Sequence, residues 1–397
     1  MRVLIAGAGI GGLAAALACS RGGHAVQVFE RAPRFEEIGA GIQLGPNVTR
    51  VLMGWGLGEA LNAVASFPNS LQVRDAENGA HLGQLRLGNT ALQRYGSPYA
   101  TVHRADLHTL LLEALKPHTN CQIQLGAGVD SFTQDDRCVR VGSTGANPAQ
   151  QRLAQQVEML VGADGLWSSV RQQLLGDGAP QSTSHVAMRA MIAQKYLPPA
   201  LRSNDITVWL GPNMHVVHYP VRGGEWLNLV LIREGMLAGS ADGWNQGIHD
   251  KTLLMPTNIK NSLLQNLLHL VEHWQAWPLC LRAPMDSARQ HALGRVALLG
   301  DAAHPMLPYL AQGAGMAVED AAELGRCLPR EASAEAGVTA ALQRYAQARW
   351  QRNARVQARA IRNGKVFHAG GLTRWGRDVA MKVLGERLLD LPWLYRA

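Results

Sequence analysis

The sequence predicts an α/β protein: a Rossmann-like dinucleotide-binding domain with an inserted antiparallel β-sheet domain and C-terminal helices. Three observations predict it. The N-terminal segment reads as strand, glycine turn, helix and strand. The stretch 183–285 changes to short β-rich runs separated by Gly-Pro and Gly-Gly turns. From Val318 onward Ala, Arg, Gln and Leu recur at helical spacing.

The opening unit runs from Val3-Leu4-Ile5 through Gly7-Ala8-Gly9-Ile10-Gly11-Gly12 and an alanine-rich segment to Ala25–Glu30. Gly7 permits the turn, Gly9 lets a pyrophosphate approach bare backbone, and Gly12 lets helix and strand pack closely. The helix N-terminus then faces the phosphate charge. Glu30 closes the unit about twenty residues on, where an acid hydrogen-bonds a ribose diol. The glycines also interrupt what would otherwise pass for a secretory leader after Met1-Arg2. The N-terminus therefore reads as mature and the protein as cytoplasmic. No later apolar run is long enough to cross a bilayer.

Along the chain, strands alternate with helical patterns to about residue 172, with Val102 to Ala114 reading as an edge segment that enters a helix. Within 183–285 the runs Ile206–Leu210, His215–Tyr219 and Trp226–Ile232 fit an antiparallel sheet. Arg295–Leu299 returns to a fully apolar strand of the first domain's sheet. The expected division is 1–70, 101–182 and 286–330 for the dinucleotide domain, 71–100 and 183–285 for the inserted domain, and 331–397 for a helical C-terminal region whose charges form a solvated face.

A chain of 397 residues with 47% hydrophobic and 17% charged residues is an enzyme-sized globular protein. Its net charge of +8 comes from scattered arginines with no basic stripe. That argues against nucleic-acid binding and fits a general pull on anionic cofactors or small acids. The five cysteines, Cys19, Cys121, Cys138, Cys280 and Cys327, show no CxxC or Cys/His ligand spacing. They read as reduced thiols, arguing against a metal site or redox disulfide.

Two further motifs carry chemistry. Leu160–Arg171 is a strand ending in Asp164-Gly165, with Ser168 and Arg171 at a helix start; alone, Asp164 or Ser168 reads as a helix N-cap. Gly300-Asp301-Ala302-Ala303-His304-Pro305 places an acid at a strand's carboxyl end, where open α/β sheets bind ligands. Pro308–Met316 then offers free backbone N–H groups before a helix carrying Glu319-Asp320, with a loop and N-cap as the simpler reading.

These three motifs, in this order, resemble those of the class A flavoprotein monooxygenases, the aromatic-hydroxylase group that includes salicylate, 3-hydroxybenzoate and 6-hydroxynicotinate hydroxylases. The resemblance spans nearly the whole chain. It implies bound FAD and transient NADH or NADPH. In such enzymes the reduced flavin reacts with molecular oxygen to a C4a-hydroperoxide that hydroxylates a small aromatic acid. It also implies cofactor-binding roles for Gly7, Gly9, Gly11 and Gly12, for Glu30 and Arg31 near the adenosine ribose, and for Arg104 near the pyrophosphate or ribityl chain. Asp164 and Gly300 join these, with Asp301 at the ribityl or pyrophosphate and the Gly313-Ala314 backbone facing the flavin. No second GxGxxG and no CxxxxC is present, which argues against a disulfide reductase with its own nicotinamide domain.

Activating a phenol calls for a base or strong acceptor beside its hydroxyl. On an extended His215–Glu225 segment, His215, Val217 and Tyr219 share one face and His218 points to the other. Periodicity alone leaves a structural histidine and a core tyrosine as the plainer reading. The H-x-x-x-Y-P pattern resembles the substrate strand of the 3-hydroxybenzoate and 6-hydroxynicotinate hydroxylases. It implies His215 as the phenol-activating group, Tyr219 as its orienting partner and Gln312 as a further candidate near flavin or substrate. The chain departs from the first pattern at Pro308, where a glutamine stands, and from the second at Gln43, where a histidine stands. The exact acid therefore stays open.

Gln43 lies in the glycine-rich loop Gly39–Asn47, which either passes by the flavin or serves loop structure alone. His304 reads as a support of the Gly-Asp turn through a backbone contact. Rival readings are a flavin monooxygenase acting on a non-phenolic substrate, such as an epoxidase or tailoring hydroxylase, and a flavin-binding protein without oxygenase activity. The expected assembly is a monomer or homodimer.

Overall fold

The computed structural model describes all residues except 36–38, 146–154, 236–245, 249–258, 330–336 and 397. Parts of the expected β-rich region and C-terminal region thus lie outside the described residues. The chain forms two compact units: 1–38, 107–181 and 281–359 in the first, and 39–106, 182–280 and 360–397 in the second.

The first unit is built on a six-stranded sheet in the order Ala292–Leu293, Val296–Leu298, Met159–Gly162, Arg2–Ala6, Ala25–Glu30, Cys121–Leu125. Its pairs are parallel apart from the short hairpin at Ala292–Leu293. Parallel strands covered on both faces need apolar residues without alternation, and Val3, Leu4 and Ile5 are all buried. Leu4, Phe29, Leu160 and Leu298 pack with Val129, Phe132 and Val141, whose two strands belong to a separate three-stranded sheet.

On its own helix Ile10–Arg21, Gly11 has no room for a side chain, because a Cβ there would meet Leu299 at 2.9 Å and the Ala317 methyl at 3.2 Å. A Cβ on Gly325 would likewise lie 2.9 Å from Ala18. Small residues therefore let helix Ile10–Arg21 lie directly on helix Gly313–Cys327. The expected strand at Arg295–Leu299 is present as Val296–Leu298 and does join this sheet beside Met159–Gly162.

The second unit holds an eight-stranded sheet in the order Gln246–Ile248, Trp274–Leu281, Gln181–Ala193, Trp226–Glu234, Met214–Val221, Ile206–Gly211, Ser70–Asp75, His81–Arg86. Ile206–Gly211 and Ser70–Asp75 pair in parallel, and antiparallel pairs flank them. Alternation divides the faces. Val216, Leu229, Leu231 and Trp209 bury against Leu264, Leu267 and Leu268 of helix Ser262–His269. On the opposite face Val208, Leu210 and Val73 meet Met381, with Val217 and Phe367 packed against them. Val102 falls in strand Ala100–His103, followed directly by helix Arg104–Leu115. Among the described residues no helix is long and apolar enough to cross a membrane.

Candidate functional site

In the first unit the fingerprint glycines have different reasons to be glycine. Gly7 has φ +96, and a Cβ on it would lie 2.5 Å from the Ala163 carbonyl oxygen; a Cβ on Gly12 would collide with the Gly7 carbonyl. Gly9 is different, with nothing within 4 Å of the position its Cβ would take. It is also the N-cap of helix Ile10–Arg21 and supplies no side-chain cap, so the helix's first N–H groups face that open space. Bare backbone, open room and a helix N-terminus fit a pyrophosphate.

Half-buried Glu30 ends its strand with Oε2 accepting from Ala8 N at 2.8 Å and Oε1 from Ala32 N at 2.9 Å. Each oxygen keeps a lone pair for a ribose hydroxyl. Arg31 beside it is exposed. His108, which the sequence motifs did not single out, donates from Nε2 to the Ala8 carbonyl at 2.8 Å and fixes the turn from the other side.

The Asp-Gly and Gly-Asp motifs meet through Arg171. Its Nη1 donates to the carbonyls of Ala302 and Ala303 at 3.0 and 2.6 Å, and its Nε to Asp177 at 2.8 Å. The Asp164 carboxylate accepts from Ser168 Oγ at 2.5 Å, from Ser169 Oγ at 3.1 Å and from Val170 N at 3.2 Å. These bonds hold the start of helix Ser169–Leu175, and Ser168 is its N-cap, accepting from Arg171 N.

Gly300 adopts φ +60, and its N donates to Asp320 Oδ2 at 3.2 Å. Asp301 is exposed, and a Cβ on Gly313 would lie 3.9 Å from its Oδ1. Asp301 therefore stands at the first turn of helix Gly313–Cys327, where the Gly313 and Ala314 N–H groups begin the helix. Its N-cap, Gln312, is 2% exposed, and Ala311 before it is held at φ +51, a left-handed strain for a residue with a side chain.

Behind this turn, buried Asp320 accepts from His304 Nε2 at 2.5 Å, Arg349 Nε at 2.7 Å and Asn353 Nδ2 at 2.8 Å. Burial pushes its carboxyl up, but His304 and Arg349 more than reverse that and hold it well below the usual carboxylate range. His304 supports the Gly-Asp turn as expected, with its own N bonded to Gly300 O at 2.8 Å and its ring reaching Asp320.

In the second unit His215 is 1% exposed, and its Nδ1 lies 2.8 Å from His368 Nε2. Burial, then the neighbouring His368 and His185, holds His215 well below the usual imidazole range, so it is neutral at pH 7. Tyr219 is 4% exposed; burial raises its hydroxyl pKa and nearby Arg189 offsets part of that. The two lie on one face, as alternation expects, about 13 Å apart along the strand. The hydrogen bond that orients the His215 ring comes from His368, while Tyr219 sits opposite Asn228 on the next strand. His218 faces Trp209 on the other side.

The glycine-rich loop presses on Tyr219: a Cβ on Gly41 would come 2.5 Å from its ring, and Gly41 N donates to Asn228 Oδ1 at 2.7 Å. Gln43 accepts from the Tyr99 hydroxyl at 2.8 Å, a buried bond that serves the loop itself. Arg104 is exposed at the start of its helix, with its N bonded to Ala40 O at 3.0 Å.

Sequence reasoning missed Arg189, half-buried in the row Arg189, Val230, Val217 and therefore on the same face as His215 and Tyr219. Its guanidinium lies 4.4 Å over the Trp277 ring, burial lowers its pKa, and among the described residues its Nε meets no hydrogen-bond partner.

A family model described as FAD binding domain matches residues 1–360. The chain is 38% identical over 405 residues to a 3-hydroxybenzoate 6-hydroxylase of Polaromonas naphthalenivorans, covering 99% of this chain and 95% of that protein. It is 33% identical over 358 residues to a 6-hydroxynicotinate 3-monooxygenase of Bordetella bronchiseptica, covering 90% and 89%. Among solved structures, Klebsiella pneumoniae HpxO complexed with FAD and uric acid aligns with TM-score 0.83 at 23% identity, over 98% of this chain and 94% of that one. A salicylate hydroxylase substrate complex aligns with TM-score 0.82 at 24% identity, over 100% and 95%, a likeness of fold.

Proposed function

The chain belongs to the FAD-binding domain family and is a flavoprotein of the class A hydroxylase group, and on that premise we propose that it hydroxylates a small aromatic acid bearing a ring hydroxyl, using NADH or NADPH and molecular oxygen. The flavin, when bound, supplies the reduction by nicotinamide and the transfer of one oxygen atom to the ring. The second oxygen atom leaves as water.

The observation that carries the substrate reading is the polar equipment of one sheet face: neutral His215, protonated Tyr219 and the cation Arg189 stand among valines and isoleucines. His215 is the hydrogen-bonding group at the phenol oxygen and favours its ionised form, which raises the ring's electron density for attack. Arg189 meets the acid's carboxylate, with Tyr219 beside it orienting the ring. Polar side chains set among Val217, Val230 and Ile232 suit such a molecule and disfavour water at the reacting carbon.

Toward the cofactor, Gly7, Gly9 and Gly12 with the helix N-terminus hold the pyrophosphate, and Glu30 and Arg31 hold the adenosine ribose. Asp301 and Gly300 hold the ribityl chain, and the Gly313 and Ala314 N–H groups with Gln312 face the flavin. Gly11 acts through helix packing, Asp164 by holding its loop in place, and Gln43 through the glycine-rich loop. A cytoplasmic monomer or homodimer is the setting in which we place this activity.

The test is oxidation of NADH and NADPH by the purified flavoprotein with a panel of hydroxybenzoates and hydroxypyridine acids, following oxygen and peroxide. Strong stimulation by one acid with little peroxide supports the reading. Equal rates with and without every acid would remove it.

A further inference from the structure

Linear spacing argued against a metal site, but spacing along the chain says nothing of residues that the sheet brings together. His185 and Glu234 are direct cross-strand partners on Gln181–Ala193 and Trp226–Glu234, with His185 Nε2 3.9 Å from Glu234 Oε1. His368, just beyond the long helix Val338–Phe367, brings its Nδ1 to 4.0 Å from the same oxygen. One ligand atom from each of the three residues lies within 4.8 Å of the other two.

Backbone bonds fix the three positions. Asn213, held at φ +58, donates from its N to His368 O at 3.0 Å, and its own carbonyl accepts from Glu234 N at 2.9 Å. Gly235 N donates to Ser184 O at 2.9 Å beside His185, and His368 N reaches Gly364 O at 3.2 Å. The turn at Asn213 thus clamps the carboxylate strand and the post-helix chain at one point.

The outer contacts suit a ligand set. A metal-bound imidazole ordinarily gives its second nitrogen to a hydrogen-bond partner, and His368 Nε2 already faces His215 Nδ1 at 2.8 Å. The side chains of Glu234 and His185 are 47% and 22% exposed while that of His368 is 2% exposed, so the cluster has one open side for an ion to enter. Zinc bonds of about 2.0–2.2 Å set tetrahedral ligand atoms roughly 3.3–3.5 Å apart. The His185–Glu234 and His368–Glu234 separations of 3.9 and 4.0 Å are close to that, and a partly exposed glutamate has the freedom to close the rest.

We propose that His185, Glu234 and His368 form a His2Glu site for a divalent transition metal of the zinc class, with water completing the coordination. Filled, it cross-links the ends of strand Gln181–Ala193 and strand Trp226–Glu234 with the chain after the long helix. The site is independent of the identity of the aromatic acid.

The test uses the full-length FAD-loaded protein, stripped with a chelator and dialysed against Zn2+ alone, then against Co2+ for its visible spectrum. One Zn2+ per chain is expected, with an affinity that falls roughly tenfold or more in His185→Ala and in Glu234→Gln. A rise in melting temperature with Zn2+ is expected for the parent and absent in both variants. Both substitutions fall on partly exposed side chains, and an unchanged melting temperature without metal confirms that the variants fold. No stoichiometric zinc, or zinc held equally by parent and folded variants, overturns the proposal; hydroxylation is read separately from oxygen uptake and does not decide it.

Discussion

Arg171 reaches across 132 positions of the chain to donate a 2.6 Å hydrogen bond to the carbonyl of Ala303. One buried guanidinium thereby joins the two motifs that follow the fingerprint, and Asp177 neutralises it at 2.6 Å. A lysine there keeps the charge but cannot span both carbonyls and the carboxylate. Arg171→Lys is expected to lose about 2–4 kcal/mol of stability and to release FAD more readily. Thermal unfolding followed by flavin fluorescence checks this; an unchanged melting point and retained flavin would contradict it.

Gly9 and Gly12 separate ligand space from packing space. Gly9→Ala is expected to fold with near-parental stability, because its Cβ meets nothing, yet to bind FAD roughly tenfold or more weakly. Gly12→Ala is expected to yield little folded protein, because its Cβ collides with the Gly7 carbonyl. Circular dichroism of the two variants, with flavin titration of the first, decides the matter.

His215→Ala is expected to lower hydroxylation by about 100-fold or more while FAD stays bound, with nicotinamide oxidation diverted to peroxide. Product analysis against peroxide yield measures this. Parental coupling in the variant would sink the assignment of His215.

For Arg189 the distinguishing sign is selectivity. Arg189→Gln is expected to weaken binding of the aromatic acid by about 10- to 100-fold, as for a lost charge-assisted hydrogen bond, and to leave a neutral amide analogue unaffected. Equal losses for acid and amide would make Arg189 a packing residue.

Acid stability follows from His291, which burial above all pushes down to about 3. The unfolded chain protonates it near its ordinary value of about 6.5, so between those values the unfolded state binds more protons. Stability contributed by neutral His291 is therefore full above about pH 6.5 and is lost as pH falls toward 3, by on the order of a few kcal/mol. Buried Asp320, held low, adds a loss of the same sign at lower pH. Denaturant midpoints between pH 7 and 4 are expected to fall steeply, and less steeply in His291→Gln.

The fingerprint was legible because each glycine's duty is settled by neighbours close in sequence or by a single strand pairing. Gly7 and Gly12 turn and pack as their spacing implies, and Glu30 ends its strand bonded to Ala8 N. Gly11 of the same motif has a packing constraint as well, set by Leu299 and by Ala317 on another helix. His215 and Tyr219 were placed on one face by the two-residue period of a strand. Arg189 and His368 were not, since a strand's period says which side a residue takes but not which distant strand lies beside it. Only the register Arg189↔Val230↔Val217 and the turn at Asn213 bring them in. His108 escaped notice because a carbonyl-binding histidine on a helix leaves no pattern in its own segment.

The interleaving of the two units carries a consequence for how the chain is made. The first unit waits for residues 281–359, which bring the Gly-Asp motif, and the second waits for residues 360–397. A ribosome adding about 5–20 residues per second needs roughly 6–23 seconds to deliver those last stretches. During that time helix Ile10–Arg21 lacks the helix Gly313–Cys327 that packs on it. Newly made protein is thus most exposed to aggregation late in synthesis, and truncations within 281–359 are expected to fail in both units, whereas those after residue 359 remove residues of the second alone.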